Sequence, residues 1–169
     1  LPPHWRHPPP AKFFPLIFKQ NVEDAKLAAS LNTCLIGKEL KNLNITVNCL
    51  PVLDLPVESA HEVIGDRSLG NDVDTIVSLG KALSEGLLNE GILPVMKHIP
   101  GHGRAKSDSH LELPTIETSL RVLEQTDFLP FSKLQKLPWA MTAHVIYSAI
   151  DPDNPATISS KIIDNIVRD

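Results

Sequence analysis

The feature that most restricts this chain is a regular alternation of short apolar segments with long amphipathic ones. Apolar runs of strand character cover 45–50, 93–98 and 139–145. Helical patterns lie between and around them. Asn21 is placed to cap a helix that ends near 42–44, with Leu27, Leu31 and Leu35 recurring every four residues and Ala28, Ile36 and Leu40 beside them. A second helix is predicted over 72–90, with Ile76, Leu79, Leu83 and Leu87 on one stripe and Gly91 as its stop. Weaker helical patterns fill 116–125 and 129–136. A last helix carries Ile162, Ile163, Ile166 and Val167 behind a Ser159 or Ser160 cap. Strands alternating with helices in this way predict parallel βαβ units and the α/β class. Such folds bind ligands at the carboxyl ends of their strands, so the chemistry is sought at 48–54, at Lys97-His98 and at 142–144.

Composition narrows the function classes. The chain has 169 residues, the size of one ordinary domain, where a closed eight-fold β/α barrel takes about 250. The residues are 42% hydrophobic and 21% charged, which excludes a disordered tail or a fibrous repeat. No apolar run approaches the roughly 20 residues of a membrane helix. A net charge of −4 offers no basic surface for nucleic acid. Cys34 and Cys49 have no metal-ligand spacing and are expected as buried free thiols, which fits a reducing compartment. No secretory leader is visible at the start. Six of the 15 prolines fall in the first fifteen residues, so 1–20 is expected to be an extended loop that packs Trp5, Phe13, Phe14 and Phe18.

The richest segment is 97–110, Lys97-His98-Ile99-Pro100-Gly101-His102-Gly103 followed by Asp108-Ser109-His110. Lys97 and His98 end a strand and are expected to point to opposite faces. Asp108 and His110, two apart, lie on one side of an extended loop. The carboxylate can then fix the imidazole tautomer and leave the other nitrogen as an acid/base. The same residues also read as a solvated loop that caps turns. A third reading is a metal site made of His98, His102, His110 and Asp108, but Pro100-Gly101 denies the first two histidines a common helix face. Arg67, on a glycine-flanked loop, suits a carboxylate or sugar hydroxyls, or pairs with Asp66 or Asp72. Asp54 either orients such an arginine or closes a turn. His144 either lines a site or simply ends a strand.

Taken together, these motifs resemble glycoside hydrolase family 3, specifically the bacterial β-N-acetylhexosaminidases of cell-wall recycling. The likeness runs through Pro2-Pro3-His4-Trp5-Arg6, Pro51-Val52-Leu53-Asp54, the stretch 64–70, the block 97–103 with Asp108-Ser109-His110, and Met141-Thr142-Ala143-His144-Val145, in family order. It implies a partial (β/α)8 barrel of the TIM type with about three β/α units. On this view 1–169 is a single segment of the catalytic barrel, with a leading loop at 1–20 and a catalytic loop at 97–110. It implies retaining hydrolysis of terminal β-linked N-acetylglucosamine, with His110 as acid/base, Asp108 orienting it, and Arg67, Lys97 and His98 binding sugar hydroxyls. No metal or organic cofactor, no nucleic acid and no membrane is implied, and the compartment would be cytoplasmic. The family's nucleophilic aspartate, in a Ser-Asp-Asp type motif, has no counterpart here. The alternative is therefore a catalytically inactive sugar-binding fragment.

Overall fold

The computed structural model describes residues 7–57, 64–107 and 111–168. Ala11–Phe13 forms a 3-10 turn that runs into helix α1, Phe14–Phe18. Residues 11–18 of the expected extended loop are therefore helical, and Trp5 lies outside the described residues. Pro15 falls in the first turn of α1, where a missing N–H costs nothing. Helix α2, Val22–Asn42, starts where its cap predicts: the Asn21 side chain accepts from the Glu23 and Asp24 N–H groups.

The face that α2 buries differs from the leucine stripe. Ala25, Ala29, Thr33 and Gly37 are buried, whereas Leu27, Leu31 and Leu35 are 58%, 54% and 49% exposed. The reason is close helix approach. α2 packs on α3, Val73–Asn89, and a Cβ on Gly86 of α3 would overlap Thr33 Oγ1 and the Ser30 carbonyl oxygen. Only small residues fit such a seam. The α3 stripe is as predicted: Ile76, Leu79, Leu83 and Leu87 are buried, Asp72 caps the helix through the Thr75 N–H, and Gly91 has a φ of +79°.

Three strands form one parallel sheet in the order β1 (Val47–Asn48), β2 (Leu93–Ile99) and β4 (Trp139–Thr142). Two further strands pair in parallel, β3 (Thr115–Ile116) with β5 (Ile146–Tyr147), where a helix start and a loop were expected. Helices α4 (Leu120–Gln125) and α5 (Leu129–Lys133) precede β4. Ser159 caps α6 (Ser160–Ile162), and a π-helical turn follows. One core joins α1, α2, α3 and α5 to β2; a second, around Tyr147, Val145 and Ile162, lies under β3 and β5. Among the described residues no helix is long and apolar enough to cross a membrane. Both cysteines are free, but Cys49 is exposed just past the end of β1, and Cys34 is half-buried with its thiol on the Gly86 carbonyl.

Candidate active site

The carboxyl end of β1 continues as a segment that runs beside β2. The Lys97 N–H donates to the Pro51 carbonyl at 3.0 Å, and the Leu53 N–H to the Lys97 carbonyl at 2.8 Å. This register delivers Asp54 to the end of β2, fully buried. Its Oδ1 accepts from the His98 N–H at 3.2 Å and the His102 N–H at 2.7 Å; its Oδ2 lies 2.6 Å from His98 Nδ1. Neither sequence reading of Asp54 anticipated this. Its donors sit 44 and 48 residues away, beyond any local pattern.

Lys97 and His98 lie where β2 is irregular. The β2–β4 register shifts between Lys97 and Ile99, and an irregularity of that kind breaks strand alternation. The His98 ring sits on Asp54, and Lys97 is half-buried within electrostatic reach of Cys49, Arg67 and Asp54. Burial lowers the Lys97 pKa below the ordinary lysine value. The Arg67 guanidinium pushes the same way, while Cys49 and Asp54 oppose it. Arg67 closes the 3-10 turn Gly65–Arg67, and its Nε donates to the Ile64 carbonyl at 3.4 Å. Asp66 meets Lys12 at 2.7 Å, and Asp72 is occupied as the α3 cap.

The glycine loop that follows β2 is fastened on two sides. Gly103 lies against the backbone of Leu55, so closely that any Cβ would overlap the Leu55 carbonyl. Gly101, with φ at +147°, packs on Asp127, and its carbonyl accepts from the Tyr147 hydroxyl. Burial raises the Tyr147 pKa well above the ordinary tyrosine value, with Asp54 and Asp127 adding to it, so this hydroxyl remains a donor. Arg104 Nε donates to Asp127 Oδ2 at 2.7 Å, and its Nη2 to Thr126 Oγ1 at 3.2 Å. Arg104, Asp127 and Tyr147 were not singled out in the sequence. The lone tyrosine, placed in an otherwise apolar run, was the one available signal.

Asp108 and His110 lie outside the described residues. His144 is exposed, with Nδ1 3.3 Å from Thr157 Oγ1. Among the described residues, no three His, Cys, Asp or Glu side chains are grouped to hold a metal ion. A hollow of about 460 Å³ lined by Met96, Phe131, Trp139 and Ile166 shares no polar residue with the Asp54 cluster.

Known proteins place this arrangement in context. The family model described as glycosyl hydrolase family 3 N terminal domain matches residues 15–169. A β-hexosaminidase of Alkalilimnicola ehrlichii is 41% identical over 136 residues, which are 79% of this chain and 38% of that protein. One of Nitrosomonas eutropha is 40% identical over 135 residues, 79% of this chain and 38% of that protein. The solved structure of NagZ from Neisseria gonorrhoeae in complex with N-trifluoroacetyl-D-glucosamine gives a TM-score of 0.92 at 32% identity, over 99% of this chain and 49% of that one. The fold is thus an α/β arrangement of the TIM-barrel type, with β1, β2 and β4 as neighbouring parallel strands. The chain spans less than half the length of these relatives.

Proposed function

The chain belongs to glycosyl hydrolase family 3, and from that membership we propose that the whole protein hydrolyses terminal, non-reducing β-linked N-acetylglucosamine. Peptidoglycan-derived muropeptides are the substrate class and the cytoplasm the place of action in this reading. The observation that carries it is His98 seated on buried Asp54 at the carboxyl end of β2, with Lys97 beside it within electrostatic reach of both Asp54 and Arg67. An ammonium, a guanidinium and an imidazole in one place suit an array of sugar hydroxyls. The relatives supply the sugar, being β-hexosaminidases and a NagZ in complex with an N-acylated glucosamine.

In this reading Lys97, His98 and Arg67 bind the sugar, while His110 is the acid/base and Asp108 sets its tautomer. His110 gives a proton to the glycosidic oxygen as the anomeric C–O bond breaks, and an aspartate from outside the assigned residues forms the glycosyl-enzyme. His110 then takes a proton from the water that attacks the anomeric carbon, which frees the aspartate with configuration retained. The whole protein is expected to turn over a chromogenic β-N-acetylglucosaminide. His110→Ala should lower kcat by about 10²- to 10⁴-fold. A His110→Ala enzyme with wild-type kcat would sink the assignment. Exhaustive chelation is expected to leave the activity unchanged. Because the chain spans 38% of its curated relatives, the 169 residues by themselves fit a second reading, sugar binding without turnover. Calorimetry showing no N-acetylglucosamine binding at millimolar ligand would count against it.

A further inference from the structure

Among the described residues, Asp54 is the one fully buried carboxylate that touches both the proposed sugar-binding histidine and the loop after it. Its two oxygens do different things. Oδ1 accepts two backbone N–H groups, one from His98 and one from His102. Oδ2 faces the ring of His98 at 2.6 Å. A carboxylate has no proton to offer, so the ring nitrogen opposite Oδ2 must be the donor, and the His98 proton sits on Nδ1. In the neutral ring Nε2 is then a bare acceptor. The ring is 20% exposed, so it is open to a ligand while its base is fixed.

We propose that Asp54 is a positioning residue of the site: it locks His98 in the Nδ1–H tautomer, presents Nε2 as the acceptor for a donating sugar hydroxyl, and ties that ring to the base of the glycine loop. The sugar role rests on the reading of His98 given under Proposed function; the tautomer does not. The loop side of the argument is independent of the sugar. The His102 N–H is held by Asp54, the His102 carbonyl accepts from the Ala105 N–H at 3.1 Å, and the Gly101 carbonyl accepts from Tyr147. Removing the carboxylate therefore loosens the ring and the loop together.

Asn is the informative replacement. Two backbone N–H donors require an oxygen where Oδ1 now lies, which turns the new NH₂ group toward His98. A donor facing Nδ1 drives the ring proton to Nε2, so Asp54→Asn inverts the acceptor into a donor at nearly constant shape. Long-range ¹H–¹⁵N spectra of the imidazoles in the 169-residue chain report this directly, recorded at about pH 9 where free histidine is neutral. His98 is assigned through its own backbone. The wild-type ring is expected to be protonated on Nδ1, and the Asp54→Asn ring on Nε2. A wild-type His98 protonated on Nε2 alone overturns the inference, and so does an Asp54→Asn ring that keeps Nδ1–H. If Asp54→Asn fails to fold, the wild-type spectrum still decides. In the whole protein Asp54→Asn should raise KM for the chromogenic substrate by about 10- to 100-fold, the loss of one hydrogen bond to a charged or polarised group. A whole protein without glycosidase activity but with Nδ1–H on His98 overturns the sugar role and leaves the tautomer standing. An active enzyme with Nε2–H on His98 overturns this inference and spares the function.

Discussion

Gly103→Ala tests the structure where it is tightest. A Cβ at this position would overlap the carbonyl oxygen and carbon of Leu55 and lie 2.9 Å from its nitrogen. All three obstacles are backbone, so no rotamer change relieves them. Separating the two segments takes a shift of roughly 1 Å, the scale on which packed contacts are lost. Such a shift at Gly103 stretches the adjacent 2.7 Å bond from the His102 N–H to buried Asp54. Losing a hydrogen bond to a charged group costs about 1.5–3 kcal/mol. Forcing an extra carbon into a filled space adds about 1–3 kcal/mol. The expected destabilisation is the sum, about 2.5–6 kcal/mol, a large part of the roughly 5–15 kcal/mol that holds a domain together. Urea unfolding followed by far-ultraviolet circular dichroism gives the number, and Gly91→Ala is the control. Gly91 has a φ of +79° and nothing within 4 Å of a Cβ, so Ala there pays only for the left-handed backbone, about 1–2 kcal/mol. If Gly103→Ala loses no more stability than Gly91→Ala, the close approach of the loop to Leu55 is wrong.

Two further outcomes follow from the packing and from a buried phenol. In the α2–α3 seam, Ala29→Leu should cost about 1–3 kcal/mol, while Leu31→Gln should stay within about 0.5 kcal/mol; thermal melts with the opposite ranking would invert the orientation of α2. Folded Tyr147 holds its proton well above the ordinary range, while the unfolded chain releases it near pH 10. Its contribution is therefore fully present below about pH 10 and is lost as the pH rises further. Tyr147→Phe should flatten that decline. Lys97, whose lowered pKa makes stability rise with pH in the alkaline range, is common to both proteins and cancels in the comparison. Urea midpoints that fall equally steeply in both above pH 10 would refute the assignment.

What the sequence made legible was local. The caps at Asn21 and Ser159 lie within a turn of the N–H groups they serve, and each is found where its residue type predicts. The α3 stripe follows from one period in a helix whose buried face is apolar. The α2 face escaped the same rule because its neighbour is a glycine: where two backbones nearly touch, volume decides burial, and Leu loses to Ala. Strands β3 and β5 have two residues each, too short for any alternation to show. At the site, Lys97, His98 and Arg67 were singled out from residue type and position; His98 sits on Asp54, and Lys97 lies within electrostatic reach of Asp54 and Arg67. The role of Asp54 was hidden because its partners come from residues 98 and 102, and only the pairing of two parallel segments makes them neighbours.

That pairing ties the setting of one imidazole to the path of the glycine loop. A single carboxylate answers to a side chain through one oxygen and to the main chain of the loop through the other. Anything that pulls on the His98 ring is felt at the His102 amide, and by linkage the coupling runs equally in reverse. With His98 in its proposed role, a ligand on that ring and the loop that continues from His102 are coupled through Asp54.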